Sequence, residues 1–265
     1  MPGKRWLELT WKDFRQMDTG RTLVLFPLGS TEQHGPCLPV GTDTLLVGAV
    51  IERILEGIDD VPFVVLPTLW CTKSNEHIAF PGTVFLRTET LMSVVHDVCT
   101  AVVRAGFKKL VLMNWHGGNS NLLGTLVQDI YQRHGLLTFL IDVVRMGVFV
   151  EKSSINEVFD IHAGKIETSM LLASYPDLVR DGWQGGLGAH FGRGRLGESY
   201  RGCKHLTPES GQVLVSWRTE DLTEDGVIGD TTGANAADGD TLIRQQVHRV
   251  QAFLREVAAF EYRGK

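Results

Sequence analysis

The sequence has few cysteines, no long apolar run and only a small charge imbalance, and each shortage excludes a class of protein. Its four cysteines lie far apart without a CxxC pair, and a chain of this length needs no disulfides, so reduced thiols are expected. No apolar run reaches the roughly 18 residues that a membrane span needs. The N-terminus lacks the apolar run and cleavage site of a signal peptide. These features predict a cytoplasmic protein without a membrane partner.

The charge balance also excludes a partner class. Lys and Arg number 26 against 31 for Asp and Glu, a net charge of −5, so a chain-wide basic field for nucleic acid is not expected. Apolar residues make up 43% of the 265 residues, which is too many for a disordered chain. We expect a single domain over residues 1–265 with a sizeable core.

Apolar strand-like runs alternate with amphipathic helix-like segments along the chain. This alternation predicts an α/β fold, layered α/β/α, with a mostly parallel sheet whose strand ends carry the functional loops. The predicted strands are Thr22–Leu28, Phe63–Leu69, Lys109–Asn114 and Leu136–Val144. The predicted helices are Asp43–Leu55, Glu89–Ala105, Asn121–His134, Ala163–Ser174 and Thr241–Phe260.

One glycine-rich stretch, Gly182–Gly202, has no periodicity. It contains a formal match to the dinucleotide-binding pattern GxGxxG, but no predicted strand precedes the match and no predicted helix follows it, so a dinucleotide site is not expected. A flexible loop near an active site or a subunit contact is the preferred interpretation.

Polar side chains follow the first predicted strand. Glu32 and His34 are two residues apart, so in an extended segment both face the same side, and Asp43 follows a loop rich in glycine and proline. A carboxylate, an imidazole and a second carboxylate suit Zn, Mn or Fe in the +2 state. The alternative is a polar turn in which Glu32 caps a helix.

Two later clusters have the same character. His116 directly follows the third strand, and Gly117 and Gly118 let the backbone come close to a ligand. His162 lies where a helix is predicted to begin, which favours its neutral form and suits a general base or a metal ligand, and Glu167 follows in the first turns. Each cluster alone could also be an ordinary turn or helix cap. Together they suggest that five metal-competent side chains converge: Glu32, His34, Asp43, His116 and Glu167.

These residues lie in motifs that resemble those of the creatininase (creatinine amidohydrolase) family. The motifs are LGSTEQHGPCLPVGTDT at Leu28–Thr44, SNEHIAFPGTVFL at Ser74–Leu86, NWHGGN at Asn114–Asn119, HAGKIETS at His162–Ser169 and GVIGDTTGANAADG at Gly226–Gly239. The resemblance implies a layered α/β fold, a divalent-metal centre, hydrolysis of an amide C–N bond and assembly as a homohexamer.

The resemblance also assigns roles to residues. It implies that Glu32, His34, Asp43 and His116 bind metal and that Asp43 bridges the ions where two are bound. His162 matches a histidine that transfers a proton near the substrate. The expected cofactor is Zn²⁺, with Mn²⁺ or Fe²⁺ as alternatives, at one or two ions per subunit.

Four positions depart from creatininases proper. Gly118 stands where they have a metal-binding glutamate, so Glu167 replaces that ligand or the site holds one metal firmly. Ile161 replaces a glutamate, Cys37 replaces the histidine of GPHLP, and Lys165 replaces the acidic residue of HAGE. These changes argue against creatinine as the substrate. They resemble the HGGN branch of the family, which includes a formylaminopyrimidine deformylase, a mycofactocin peptidase and a hydrolase of inosose-type sugars.

The predicted function is metal-dependent hydrolysis of an amide or cyclic amide in a small molecule or peptide. His162 and Glu167 are the predicted catalytic residues, with Glu167 also a weaker metal ligand. Gly117 and Gly118 are predicted to donate backbone N–H groups to the developing oxyanion. Glu76 and His77 bind substrate or cap a loop. The alternatives are creatininase proper or hydrolysis of sugar, inosose or formamidopyrimidine substrates.

Three rival functions stay open at this point. The chain could be a non-catalytic binding subunit, because a fold does not define a function. It could use its metal for carbonyl chemistry without hydrolysis, as an isomerase or C–C lyase does. It could also be a cysteine hydrolase that uses Cys37.

Overall fold

A five-stranded parallel sheet lies at the centre of the protein, in a computed structural model that describes residues 3–146, 160–189, 194–207 and 213–262. Its strand order is β1-β3-β2-β4-β5. The strands are β1 (Lys4–Arg5), β2 (Leu23–Leu28), β3 (Phe63–Val65), β4 (Lys109–Asn114) and β5 (Leu137–Asp142), and a separate pair is formed by β6 (Leu206–Thr207) and β7 (Val213–Leu214).

Helices cover both faces of the sheet, as the α/β/α prediction requires. Within the described residues, no helix has both the length and the apolar character that crossing a membrane demands. The short β1 and α1 were not predicted, because two and six residues are too few to show a periodicity. The helices are α1 (Trp11–Gln16), α2 (Thr42–Gly57), α3 (Thr88–Arg104), α4 (Ser120–His134), α5 (Val143–Met146), α6 (Lys165–Ser174), α7 (Gly194–Ser199), α8 (Thr219–Leu222) and α9 (Ala236–Ala259).

Strand β2 shows how the sequence builds two cores. All six of its residues are buried, and successive side chains point to opposite faces of the sheet. Leu23 and Leu25 join the core that includes residues of α2, α6 and α9, whereas Val24, Phe26 and Leu28 join the core that includes residues of α3 and α4. A continuous apolar strand is therefore typical of a sheet that is covered on both sides.

Two predicted strands end earlier than expected. The strand predicted as Phe63–Leu69 ends at Val65, because Pro67 has no N–H to donate to the sheet, and Leu69 retains only an isolated bridge to Leu28. The strand predicted as Leu136–Val144 ends at Asp142, where α5 begins at once.

Two predicted helices begin more than one residue away from the predicted start, for local reasons. Helix α9 begins at Ala236 rather than Thr241, because the Asn235 side chain accepts a hydrogen bond from the amide of Asp238 at 2.9 Å and caps the helix. Helix α6 begins at Lys165 rather than Ala163, because Ala163 has a φ of +57° and cannot be part of a right-handed helix.

The glycine-rich stretch is more structured than predicted. It contains a 3₁₀ turn at Trp183–Gly185 and helix α7. Leu196 of α7 is fully buried in a small third core with Tyr200 and Leu222, so apolar packing organises this stretch despite its glycines. Residues 190–193, which include the first glycine of the GxGxxG match, lie outside the described residues.

The register of the two central strands places two loops side by side. Leu28 at the end of β2 pairs with Asn114 at the end of β4. The loops that follow, which carry Glu32 and His116, therefore leave the sheet at the same edge.

Candidate metal centre

Four segments bring the predicted residues into one buried cluster at this edge. Glu32 and His34 follow β2, Asp43 is in the first turn of α2, and His116 follows β4. These four side chains are all buried. His162 precedes α6 and is also buried, and Glu167, in the first turn of α6, keeps 23% of its side chain exposed.

The two oxygens of Asp43 face different histidines. Oδ2 lies 3.1 Å from His116 Nδ1, and Oδ1 lies 3.4 Å from His34 Nε2. The same His116 nitrogen is 3.2 Å from Glu32 Oε1. Asp43 thus lies between two adjacent groups of potential ligands.

Glu167 extends the group around His34. Its Oε2 lies 3.7 Å from His34 Nε2 and accepts a hydrogen bond from the Ala163 amide at 2.6 Å. The left-handed conformation of Ala163, uncommon for a residue with a side chain, accompanies the turn that directs this amide to Glu167.

Backbone carbonyls orient the rings of His34 and His116. His34 Nδ1 donates to the Glu32 carbonyl at 3.0 Å, and His116 Nε2 donates to the Lys73 carbonyl at 2.6 Å. A carbonyl oxygen only accepts, so each neutral ring carries its proton on the outer nitrogen, which is Nδ1 in His34 and Nε2 in His116. The inner nitrogen faces the carboxylates with its lone pair, as a metal ligand must.

Glu32 has two further histidine neighbours. His162 Nδ1 and His77 Nε2 each lie 3.5 Å from Glu32 Oε1, and the two rings are stacked with their centroids 4.2 Å apart. His77 is therefore inside the cluster, although the sequence predicted it only as a substrate or loop residue.

The charges in the cluster are strongly coupled. Burial by itself raises the pKa of Asp43, but the nearby His34 lowers that pKa to about 2. Burial lowers the pKa values of both His34 and His116. The carboxylates of Glu167 and Asp43 nevertheless raise the pKa of His34 well above its usual value, and those of Glu32 and Asp43 do the same for His116. The buried carboxylates thus face histidine nitrogens, and a bound metal would compete with protons for those nitrogens.

Two unpartnered atoms show that the cluster suits a cation. Glu32 Oε2 and His34 Nε2 are buried and have no hydrogen-bond partner among the described residues, which costs about 1–3 kcal/mol for each such group. Carboxylate oxygen and imidazole nitrogen are ligands for Zn²⁺, Mn²⁺ and Fe²⁺. Three overlapping sets have ligand atoms within 4.8 Å of one another: Glu32, His34 and Asp43; His34, His162 and Glu167; and Glu32, His77 and His162.

Gly118 lies in a space that admits no side chain. A Cβ built there would be 2.5 Å from His116 Nε2, 2.8 Å from the Lys73 carbonyl oxygen and 2.2 Å from Glu76 Oε1. Glu76 forms an ion pair with Lys73 at 3.3 Å and lies on the Nε2 side of His116, 3.9 Å away. It is therefore next to the cluster but not on the Nδ1 side of His116, where the other carboxylates lie.

Sequence reasoning missed several residues that hold the site together. Asn119 donates to Thr72 and to Asn114, each at 3.1 Å, and so joins the two loops around His116. Asp160 accepts a hydrogen bond from the Ile166 amide at 2.6 Å, and burial raises the pKa of this carboxyl to about 8. Asn119 lies within a family motif and Asp160 lies just before one. Each is close to the start of a helix, and this position is the sequence signal that could have identified them as polar residues that hold the loops. Gln33 is the third missed residue.

The fold and the site define an α/β protein with a buried histidine–carboxylate cluster that supports a divalent metal. A family model described as creatinine amidohydrolase matches residues 7–254, and the chain belongs to this family. Members of the family are hydrolases that act on amide C–N bonds, and this chain is such an enzyme.

Two relatives show how the similarity is distributed. The chain is 34% identical to creatinine amidohydrolase of Pseudomonas putida over 191 residues, which cover 65% of this chain and 72% of the relative. It is 31% identical to a mycofactocin precursor peptide peptidase of Mycolicibacterium smegmatis over 237 residues, which cover 88% and 85%.

Solved creatininase structures share the fold. A mutant creatininase superimposes with a TM-score of 0.75 at 24% identity and covers 97% of this chain and 99% of its own. A Mn creatininase structure gives a TM-score of 0.73 with the same identity and coverage. These likenesses confirm the α/β fold predicted from the sequence.

Proposed function

We propose that this chain hydrolyses an amide C–N bond of a small molecule or peptide with a divalent metal held by Glu32, His34, Asp43, His116 and Glu167. The observation that carries the proposal is the arrangement around Asp43, whose two oxygens face His116 and His34. We propose Zn²⁺ as the ion, with Mn²⁺ and Fe²⁺ as alternatives, and one or two ions per subunit. Asp43 would hold both ions where two are bound.

We propose that Glu167 takes the place of the metal-binding glutamate that creatininases proper have at the position of Gly118. Two carboxylates lie near the site, but Glu76 faces His116 Nε2, whose proton is donated to the Lys73 carbonyl. Glu167 instead faces the unprotonated Nε2 of His34. Only Glu167 therefore lies where it and a histidine lone pair can bind the same ion.

The chain's own residues supply proton transfer and orientation. A bound divalent cation lowers the pKa of water from near 16 toward about 7 and polarises a carbonyl. Burial and the neighbouring His34 lower the pKa of His162, so His162 is neutral and its Nδ1 can accept a proton and deliver it to the leaving nitrogen. Gly117 and Gly118 are proposed to donate backbone N–H groups to the substrate oxygen, and Glu76 to contact the substrate nearby.

Of these two substrate classes, two observations favour a peptide over a small cyclic amide. The peptidase relative matches more of this chain than creatinine amidohydrolase does. Beside Glu32, Thr31 bonds to the backbone of Trp70 and Val84, whose side chains are 55% and 46% exposed. An apolar surface next to the site suits a substrate with apolar side chains.

The proposed function predicts that hydrolysis depends on metal and on His116. Protein stripped with a chelator should be inactive on a panel of peptide and small-molecule amides, and activity should return with Zn²⁺, Mn²⁺ or Fe²⁺. The product should have the mass of substrate plus water. His116→Ala should lower bound metal and abolish turnover while the circular dichroism spectrum is unchanged.

The control is His134→Ala, which removes a histidine from the far end of α4. This variant should keep both metal and activity. A metal-loaded wild-type enzyme that turns over no amide would favour the binding-subunit alternative, and a product of unchanged mass would favour an isomerase.

We further propose that residues 1–265 form one catalytic domain in a cytoplasmic homohexamer. Closed symmetric assemblies are the usual outcome for homo-oligomers. Light scattering at micromolar concentration is expected to give about six times the 29.4 kDa chain mass. A mass equal to that of one chain would contradict the proposal.

A further inference from the structure

The Gln33 side chain lies buried between two histidines of the site. Its Oε1 accepts a hydrogen bond from the Gly35 amide at 2.9 Å, and its Nε2 donates to the Gly226 carbonyl at 3.0 Å. A backbone N–H only donates and a backbone carbonyl only accepts, so these two contacts determine which end of the Gln33 amide is nitrogen.

The loop that carries Gly226 fits closely around this amide. A Cβ built on Gly226 would lie 2.0 Å from Gln33 Oε1, and the residue has a φ of +87°, a conformation that favours glycine. The motif Gly226–Gly239, to which the proposed function gives no role, therefore begins with a residue shaped to hold Gln33.

The Gln33 backbone determines which nitrogen of the neutral His162 ring carries the proton. Nε2 of His162 lies 2.7 Å from the Gln33 carbonyl oxygen, and this oxygen can only accept. The ring therefore carries its proton on Nε2. That nitrogen cannot also accept from the Gln33 side-chain amide, 3.1 Å away.

The remaining amide proton of Gln33 then has one acceptor. One of its two side-chain protons goes to the Gly226 carbonyl, and the other points at His77 Nδ1, 2.9 Å away. The Thr219 hydroxyl lies 2.7 Å from the same nitrogen. The single lone pair of an unprotonated Nδ1 is shared by these two donors, and the His77 proton is then on Nε2, which faces Glu32 Oε1.

The opposite tautomer of His77 is less favourable on two counts. Its Nδ1 proton would point toward an N–H of the Gln33 amide. The Thr219 hydroxyl could accept that proton and would then donate its own to the Glu76 carbonyl at 3.0 Å. Its bare Nε2 would face the carboxylate of Glu32. In that tautomer the second N–H of the Gln33 amide is a buried donor that faces no acceptor.

We propose that Gln33 is a positioning residue that holds His77 with its Nε2–H directed at Glu32 Oε1, 3.5 Å away, so that His77 orients a metal ligand instead of binding the metal. The Gln33 carbonyl likewise holds the proton of the His162 ring on Nε2. The inference rests on the proposed function for the roles of Glu32 and His162, but the tautomers can be read without any assay of turnover.

The test is ¹⁵N NMR of the histidines in the Zn²⁺-loaded wild-type protein. The Nε2–H tautomer is expected for both His77 and His162, and Gln33→Met should remove this preference at His77 while bound metal stays at the wild-type level. Activity should fall about 10- to 100-fold, the usual effect of losing a partner that orients a ligand. Gln246→Met, which removes another buried amide on α9, should change neither the tautomers nor activity.

A second variant separates the two roles of His77. In His77→Gln the new amide can still donate near the position of Nε2 but is a poor metal ligand, so bound metal should stay at the wild-type level. Loss of metal in this variant, or an Nδ1–H tautomer for His77 in the wild type, would overturn the proposal. If the wild-type protein shows these tautomers but hydrolyses no amide, the proposed function fails and the Gln33 assignment stands.

Discussion

Asp43→Asn is expected to lose most of its bound metal and at least about 10³-fold in kcat/KM, because metal activation of water and carbonyl contributes several kcal/mol to catalysis. Asn retains one carbonyl oxygen but no charge, and both Asp43 oxygens lie within 3.4 Å of a histidine nitrogen. The fold should survive, since the variant removes a buried charge while its amide still accepts from Ser30 Oγ, which is 3.0 Å from Oδ2 in the wild type.

The measurements are metal content by mass spectrometry, kcat/KM and the thermal midpoint. Asp142→Asn is the matched control, because Asp142 is equally buried and ends the neighbouring strand β5 at the same edge of the sheet. It accepts a hydrogen bond from Asn114 at 3.2 Å, which an amide oxygen can also accept. Wild-type metal content in Asp43→Asn would reject Asp43 as a ligand.

Creatinine is expected to be a poor substrate, turned over about 10³-fold or more slowly than by a creatininase proper. The reason is the missing glutamate at Gly118 together with Ile161 beside His162, since a lost carboxylate at the metal weakens transition-state stabilisation by several kcal/mol. The assay measures creatine formed from creatinine with Zn²⁺ and Mn²⁺ supplied separately. Turnover of many molecules per second would show that Glu167 fully replaces the missing group.

Restoring the glutamate by Gly118→Glu should not create a creatininase. The new Cβ would lie 2.5 Å from the His116 ring and 2.8 Å from the Lys73 carbonyl oxygen, and Glu76 already occupies the adjacent space. We expect this variant to displace His116 and lose bound metal. Gly48→Glu is the control, because a Cβ there meets no atom within 4 Å, and it should retain metal and activity.

Two alternatives from the sequence can be compared with the site. Cys37 lies 3.5 Å from the Asp181 carbonyl oxygen, and burial raises the pKa of its thiol. A raised pKa reduces the fraction of reactive thiolate, so the geometry gives no support to a cysteine hydrolase. The metal alternative gains support because ligand atoms from separate loops converge on Asp43.

The fold was predictable because its signals are local. The apolar runs of β2 and β4 and the amphipathic faces of α3 and α4 appear directly in the sequence. The boundaries that were missed depend on single residues, such as Pro67, Asn235 and the left-handed Ala163. Only Ala163 is unpredictable from its residue type, because an alanine adopts that conformation when its surroundings require it.

The sequence by itself determined the alternation of strands and helices, and it placed Glu32, His34, Asp43, His116 and Glu167 in loops and helix starts beside strand ends. It did so because periodicity and turn residues act over a few positions along the chain. Only the tertiary structure decided that the two oxygens of Asp43 face different histidines, that Glu167 rather than Glu76 lies beside a bare imidazole nitrogen, and that Gln33 contacts His77 and His162. The Gln33–His162 contact alone joins residues 129 positions apart. Such distances depend on strand register and helix packing, which no local pattern specifies.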